Sequence, residues 1–192
     1  MPGLTLLGVS PEAWTHIEKN PNAPRGSILS ILDWRNAWKA TERFPILPSI
    51  ADINGLDAAL DNYLEEGLEA VWARHAHATR IFRAGLYAMG LKIWPKSEAI
   101  ASDGVTAVAL PQGVSPAQLA DAARRLYGVN FSASQGATAD KVILVALLGR
   151  VAQPMYGVTA LAALGGSLNA IGHRADTGAG VNAALSMINA SA

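Results

Sequence analysis

The segment that decides the fold is the first one, residues 1–14, which reads MPGLTLLGVSPEAW. Pro2-Gly3 is a turn dipeptide, and the apolar run Leu4–Val9 is typical of a β-strand. Ser10 then predicts a helix N-cap, with Pro11 at the first helical position, where its missing N–H costs nothing. Because the turn leads at once into a strand and a capped helix, we expect the chain to begin part-way through a domain.

Further helix boundaries can be read along the chain. Ser49 and Asp52 form a capping-box pattern before a helix that we expect to continue through Asn54-Gly55. Gly67 predicts a break, and a second helix should end near Met89-Gly90. Periodicity leaves Ile28–Trp34 open between helix and strand.

The later part of the chain alternates between strands and helices. Strands are predicted over Leu91–Trp94, Val105–Leu110, Val129–Ala133 and Val142–Leu148, and helices over residues 115–128, 155–171 and 180–188. This mixture indicates an α/β chain whose later part is an α+β domain, with helices covering a sheet.

Composition limits the classes of protein to consider. The 192 residues are 51% hydrophobic and 16% charged, which is enough apolar content for a packed core. Fifteen basic and fifteen acidic residues balance, so there is no excess of positive charge of the kind that binds nucleic acid. There are no cysteines, which excludes disulfides and thiolate metal sites and is consistent with a cytoplasmic location.

One segment requires a test for membrane insertion. Residues 151–172 contain no Asp, Glu, Lys, Arg or His, and a membrane span needs about 20 mostly apolar residues. The segment nevertheless contains Gln153, Pro154, Ser167 and Asn169, and is otherwise rich in Ala and Gly. We therefore predict a buried helix under a sheet and no membrane partner.

Several segments match a known family in order and at its spacing. They are residues 1–14, Ala23–Trp34, Pro48–Leu60, Glu69–Ala76 and Ala152–Tyr156. With them the chain resembles the class V aminotransferases of fold type I, in which a lysine, a short spacer and Pro-Pro-Gly-Leu precede a strand, Val-Ser and a helix. Met1 stands where the first of those prolines would be.

The resemblance implies an architecture, a cofactor and partners. Residues 1–53 would be the C-terminal remnant of the large cofactor-binding domain, and residues 54–192 the small C-terminal domain. The cofactor would be pyridoxal 5′-phosphate, and the reaction amino transfer to a 2-oxo acid such as pyruvate. The family also implies a homodimer or larger homo-oligomer with active sites at the subunit interface.

Four positions of the family's site are altered in this chain. Phe44 and Leu47 occupy the places of the aromatic residue and the threonine that contact the cofactor phosphate, and Leu47 has no donor. Gln135 and Leu144 occupy the places of two arginines that bind the substrate carboxylate, and Leu144 cannot bind an anion. We therefore interpret Val142–Leu148 as an entirely buried strand.

The lysine that forms the Schiff base is also missing from its expected place. The five lysines lie elsewhere and are predicted to be solvated at the surface; they are Lys19, Lys39, Lys92, Lys96 and Lys141. Covalent attachment of the cofactor is therefore not expected in this chain. The histidines are not expected to bind metal, since His75 and His77 do not share a helix face, and Glu65-Glu66 is predicted to be solvated.

Three interpretations remain open at this stage. The chain is the C-terminal portion of an aminotransferase that is inactive alone, a non-catalytic dimerisation or interaction module, or one half of an enzyme completed by a separate lysine-bearing chain.

Overall fold

The computed structural model describes residues 3–39 and 44–191. The chain divides into two compact units, Met1–Glu65 and Glu66–Ala192. The predicted Pro2-Gly3 turn lies partly outside the described residues. The family's domain boundary after Ile53 stays a prediction, because a division by compactness does not locate it.

The first unit is helical where it is regular. It contains α1 (Pro11–Lys19), α2 (Ile31–Trp34) and nearly all of α3 (Ile50–Glu66). The predicted strand Leu4–Val9 was wrong: these residues form no strand, and Leu6 and Leu7 are exposed. A strand forms only when its backbone groups pair with a second strand, and the described residues of this unit contain none.

Local side-chain chemistry sets the helix ends that the sequence predicts. The Ser10 hydroxyl accepts the Ala13 amide proton at 3.2 Å, and Ser49 does the same for Asp52 at 3.4 Å. Each such cap stabilises a helix by about 1 kcal/mol. Gly67 separates α3 from α4 (Leu68–Ala88) with a φ of 86°, a left-handed value that favours glycine.

The second unit is built on a four-stranded antiparallel sheet in the order β1-β2-β4-β3. The strands are β1 (Lys92–Ile93), β2 (Val105–Ala109), β3 (Ser132–Ala133) and β4 (Val142–Ala146). The two edge strands are only two residues long, which is shorter than the sequence predicts. Side chains alternate across the sheet, so Val108, Ile143 and Val145 face the core.

Helices cover one face of this sheet. Helix α4 and helix α5 (Pro116–Tyr127) contact the strands, and α6 (Pro154–Ala170) and α7 (Thr177–Ala190) pack against α4. The four confirm the predicted helices and the α+β arrangement. Helix α6 corresponds to the charge-free segment and is buried as predicted, although it packs mainly against α4, α5 and α7 instead of under the sheet. Within residues 3–39 and 44–191, no helix has the length and hydropathy to cross a bilayer.

Two glycines allow α4 and α7 to approach each other closely. A Cβ added at Gly85 would lie 2.6 Å from the carbonyl oxygen of Gly180, and one added at Gly180 would lie 2.9 Å from that of Gly85. Real side chains do not reach such distances from backbone atoms, so neither position has room for a methyl group. The helix layer therefore depends on this backbone contact.

We predict that Gly85→Ala destabilises the second unit by about 1–3 kcal/mol, because the new methyl group overpacks a rigid backbone contact. Urea unfolding followed by circular dichroism would measure the change. Gly178→Ala is the matched control on α7, since its Cβ would meet only Asp176 at an ordinary 3.6 Å. Equal stabilities of the two variants would contradict the prediction.

Candidate functional site

The two predicted phosphate-contacting positions lie in the first unit. Phe44 is half-exposed and packs at a tilt against Trp34, with 6.2 Å between ring centroids. Leu47 is 91% exposed and offers no hydrogen-bond donor. The Leu47 side chain therefore cannot replace the threonine hydroxyl of the family pattern.

The two predicted arginine positions lie in the second unit, on adjacent parts of the sheet. Leu144 is central in β4, opposite Ala107 on one side and Ser132 on the other. Gln135 is exposed and lies three residues beyond Ser132, where its backbone carbonyl accepts a hydrogen bond from Thr138 at 3.1 Å. The register thus separates the two positions by about 10 Å along an extended strand.

The sheet face that carries Leu144 is the face opposite the helices. The Trp94 amide donates to the Ala107 carbonyl oxygen at 2.7 Å, so the row across the sheet is Trp94, Ala107, Leu144 and Ser132. This row contains an aromatic ring, two aliphatic side chains and a hydroxyl. It contains no cationic group that could pair with a carboxylate.

The prediction that Val142–Leu148 is an entirely buried strand was therefore wrong. The strand ends at Ala146, which is exposed, Leu144 is only partly buried, and Leu148 is 51% exposed. The reason is that the helices pack on one face of the sheet only. The inward residues Ile143, Val145 and Leu147 match the prediction, and among the outward residues only Val142 does.

A stripe of polar side chains on α4 fixes the connection between β1 and β2. Thr79 donates to the Asp103 carbonyl oxygen, and Arg83 donates to that of Ser102 at 2.6 Å. Tyr87 donates to a Glu98 carboxylate oxygen at 2.7 Å. These donors are four residues apart on one helix face. The four-residue spacing of Thr79, Arg83 and Tyr87 is visible in the sequence, but it does not identify their partners.

Burial and the neighbouring carboxylate raise the pKa of Tyr87 to about 12, because both disfavour the phenolate. Arg83 itself is only 2% exposed, and its Nε contacts the Thr106 hydroxyl at 3.4 Å. Such a buried guanidinium requires all of its partners to stay in place.

The same helix holds the turn that follows β4. Arg74 donates two hydrogen bonds to the Glu66 carboxylate, at 2.5 and 2.7 Å, and a third to the Gly149 carbonyl oxygen at 2.7 Å. His75 accepts the Gly149 amide proton at Nε2 (3.0 Å) and bonds the Val71 carbonyl through Nδ1 (2.7 Å). His75 is thus hydrogen-bonded through both nitrogens. Glu66 is exposed, as predicted, and pairs with Arg74 at the surface.

No metal site is formed in the part of the chain that the structure describes, where no group of three potential ligands comes together. All five lysines are exposed, as predicted. At the positions that the resemblance predicts, Leu47 offers no phosphate donor and Leu144 offers no carboxylate-binding cation, so these two side chains do not fit pyridoxal 5′-phosphate and an anionic substrate. The assignment of these positions stays a prediction.

Comparisons with known proteins identify the family. No protein-family model matches the chain. The chain is 33% identical over 154 residues to L-aspartate–glyoxylate aminotransferase of Paracoccus denitrificans. The aligned residues are 80% of this chain and 38% of that protein. Together with the fold, this similarity and those below show that the chain belongs to the class V aminotransferases of fold type I and corresponds to their C-terminal part.

Within the family, the chain is strongly similar to pyridoxamine–pyruvate transaminase of Mesorhizobium japonicum. The two are 52% identical over 191 residues, which is all of this chain and 49% of that protein. The crystal structure of pyridoxamine–pyruvate aminotransferase from Mesorhizobium loti superposes with a TM-score of 0.90 at 51% identity, covering 96% of this chain and 47% of that one. The chain thus spans about half the length of the curated relatives it matches.

The Glu66–Arg74 pair leads to a prediction about acid stability. Hydrogen bonds from Arg74 hold the pKa of Glu66 below its usual value of 4.5. The pair therefore stabilises the fold above that pH, and its contribution is lost as the pH falls through the lower, folded-state pKa.

We predict that Glu66→Gln is less stable than the unchanged chain at neutral pH and that the difference shrinks on acidification. Urea unfolding at a series of pH values would measure it. Glu65→Gln removes the adjacent carboxylate, for which the described residues show no ion pair, and is the control. A pH-independent loss in Glu66→Gln would refute the electrostatic explanation.

Proposed function

We propose that the chain is the C-terminal portion of a pyridoxal-phosphate-dependent aminotransferase that is inactive alone, because the Schiff-base lysine and the substrate arginines of the family pattern are missing from it. The observation that supports the proposal is the sheet row around Leu144, which contains no positive charge. The family resemblance predicts that Leu144 stands at a substrate-arginine position. The family chemistry would be amino transfer to a 2-oxo acid such as pyruvate, in a homo-oligomer with pyridoxal 5′-phosphate.

A shared active site would explain how such a chain could take part in catalysis. The cofactor's contribution, when bound, is to withdraw electrons from the substrate carbon that exchanges the amino group. The residues of this chain would form one wall of the substrate site through the row around Leu144. They would position the substrate by apolar contact and exclude water.

A second function, that of a non-catalytic interaction module, is favoured by the surface of the first unit. Several large apolar side chains there are more than half exposed, namely Leu6, Leu7, Ile28, Leu29, Trp38, Leu47 and Ile50. Where exposed apolar side chains form a contiguous patch, they typically mark a protein–protein contact. On this alternative, the chain would keep the family's dimer surface and lose its chemistry.

We predict that the purified chain forms no specific aldimine with pyridoxal 5′-phosphate, because none of its five lysines stands at the family's position. Borohydride reduction after cofactor addition, followed by peptide mass spectrometry, would locate any modified lysine. A full-length class V aminotransferase treated in parallel is the positive control. Stoichiometric labelling at a single lysine would show that this chain does bind the cofactor covalently.

The absence of a cation beside Leu144 predicts the behaviour of a reconstituted enzyme. Co-expression with the N-terminal half of a related aminotransferase, including its lysine, should give a complex that is a poor transaminase toward pyruvate. A carboxylate against Leu144 is desolvated without a counter-charge, which costs about 2–5 kcal/mol, or roughly one and a half to nearly four orders of magnitude.

The double variant Leu144→Arg with Gln135→Arg should recover activity toward 2-oxo acids by at least about tenfold, with a smaller gain toward uncharged aldehydes. Steady-state kcat/KM for both substrate types would measure this selectivity. Leu148→Arg is the control, since it adds the same charge to an exposed position beyond β4. Efficient use of pyruvate by the unrestored complex would contradict the proposed loss of carboxylate binding.

A further inference from the structure

The turn after β4 is attached to α4 through both polar groups of a single residue. Gly149–Val151 form one 3₁₀ turn between β4 and α6. The Gly149 amide donates to His75 Nε2 at 3.0 Å, and the Gly149 carbonyl oxygen accepts from Arg74 at 2.7 Å. The Arg74 guanidinium also donates to the Ala152 carbonyl oxygen at 3.2 Å. Two consecutive residues of α4 therefore hold a turn that is distant in sequence.

The partners of His75 determine which of its ring nitrogens carries the proton. Nδ1 lies 2.7 Å from the Val71 carbonyl oxygen, which can only accept a hydrogen bond. The Gly149 amide at Nε2 can only donate one. The imidazole is therefore neutral, with its proton on Nδ1 and a lone pair on Nε2. The hydrogen bond to the turn exists only in this protonation state.

A second proton on His75 would replace this attraction with a clash between two donors. In the imidazolium both ring nitrogens donate, so Nε2–H would point at the Gly149 N–H. Gly149 is exposed, and its amide can donate to water once it moves away from the ring. The turn thus has an open arrangement in which no backbone group is left without a partner. Proton uptake by His75 and closure of the turn therefore oppose each other.

Charged groups on the surrounding segments act on the imidazole in both directions. Arg74 binds the same turn and Arg150 lies within it, and both disfavour a further cation. The Glu66 carboxylate favours one, and it accepts two hydrogen bonds from Arg74. Asp103, in the connection before β2, is exposed to solvent, where salt screens its charge. With both signs of charge nearby, the element that responds to protonation is the hydrogen bond at Nε2 itself.

We propose that His75 makes the turn Gly149–Val151 sensitive to pH: neutral His75 holds the turn closed against α4, and protonated His75 releases the Gly149 amide. After release, the turn is held by Arg74 alone. The inference goes beyond the proposed aminotransferase function and does not depend on it, because every group involved belongs to the second unit.

This release is distinct from the loss of the Glu66–Arg74 pair. Histidine side chains change charge between about pH 5 and 8. Hydrogen bonds from Arg74 hold the pKa of Glu66 below its usual value of 4.5. The Glu66–Arg74 pair is therefore still present in the range where the turn opens, and the two steps can be measured separately.

Heteronuclear NMR of the full chain between about pH 8 and pH 5 tests the proposal. At the upper end, the ring-nitrogen shifts of His75 should show the Nδ1–H tautomer. As His75 takes up its second proton, the protection of the Gly149 amide against hydrogen exchange, corrected for the intrinsic pH dependence of exchange, should fall about three- to tenfold, because one hydrogen bond is lost. The β4 amides should keep their protection. An Nε2–H tautomer at the upper end, or constant Gly149 protection while His75 titrates, would overturn the proposal.

Variants separate His75 from other titrating groups. His75→Gln keeps an uncharged side-chain acceptor for the Gly149 amide but takes up no proton in this range, so the protection of that amide should not change with pH. His77→Gln is the matched control, because it removes an imidazole from another face of α4 and should leave the response unchanged. A response that survives in His75→Gln, or that disappears in His77→Gln, refutes the proposal. If His75→Gln loses the β4 signals, the unchanged chain decides, since the transitions of His75 and Gly149 must then share one midpoint, and separate midpoints refute the proposal.

Discussion

The buried guanidinium of Arg83 is the constraint on which the second unit depends. Taking a charge out of water costs several kcal/mol unless hydrogen bonds replace the lost hydration. Its partners, the Ser102 carbonyl and the Thr106 hydroxyl, lie just before and within β2. The helix layer and the sheet are therefore joined by a polar contact that tolerates little displacement, in addition to the apolar core.

Helix α4 also makes two other contacts that fix the second unit. On its packed side Gly85 admits the backbone of α7, and at its N-terminal end Arg74 and His75 hold the turn after β4. The Leu147 amide also donates to the Gly104 carbonyl oxygen at 2.9 Å, so the two connections held by α4 meet at one end of the sheet. Helix α4 thus holds both the connection before β2 and the turn after β4, and these two contacts fix the position of β4, the strand that carries Leu144.

Much of this fold could be predicted from the sequence, because helix caps and breaks are local. Ser10, Ser49 and Gly67 act within a few residues of their own positions, and the structure confirms each. Leu4–Val9 failed as a strand because pairing depends on a partner that a local pattern does not reveal. Leu144 appeared fully buried because an apolar run does not show which face of a sheet the helices cover.

The site was less predictable than the fold for a similar reason. The family positions Phe44, Leu47, Gln135 and Leu144 could be located by resemblance, and their roles stay predictions. The contacts of Arg74, Arg83 and Tyr87 join residues 8 to 78 positions apart, and no local signal specifies such pairs.

The two-residue edge strands have a consequence for assembly. Sheets associate through their rims when a long edge presents unpaired amide and carbonyl groups. Here β1 and β3 are too short to act as such a template, and the exposed Lys92 on β1 adds a charge that opposes stacking of copies. Growth of this sheet into fibrils is therefore hindered at both borders, and any assembly of the second unit must form through side-chain contacts.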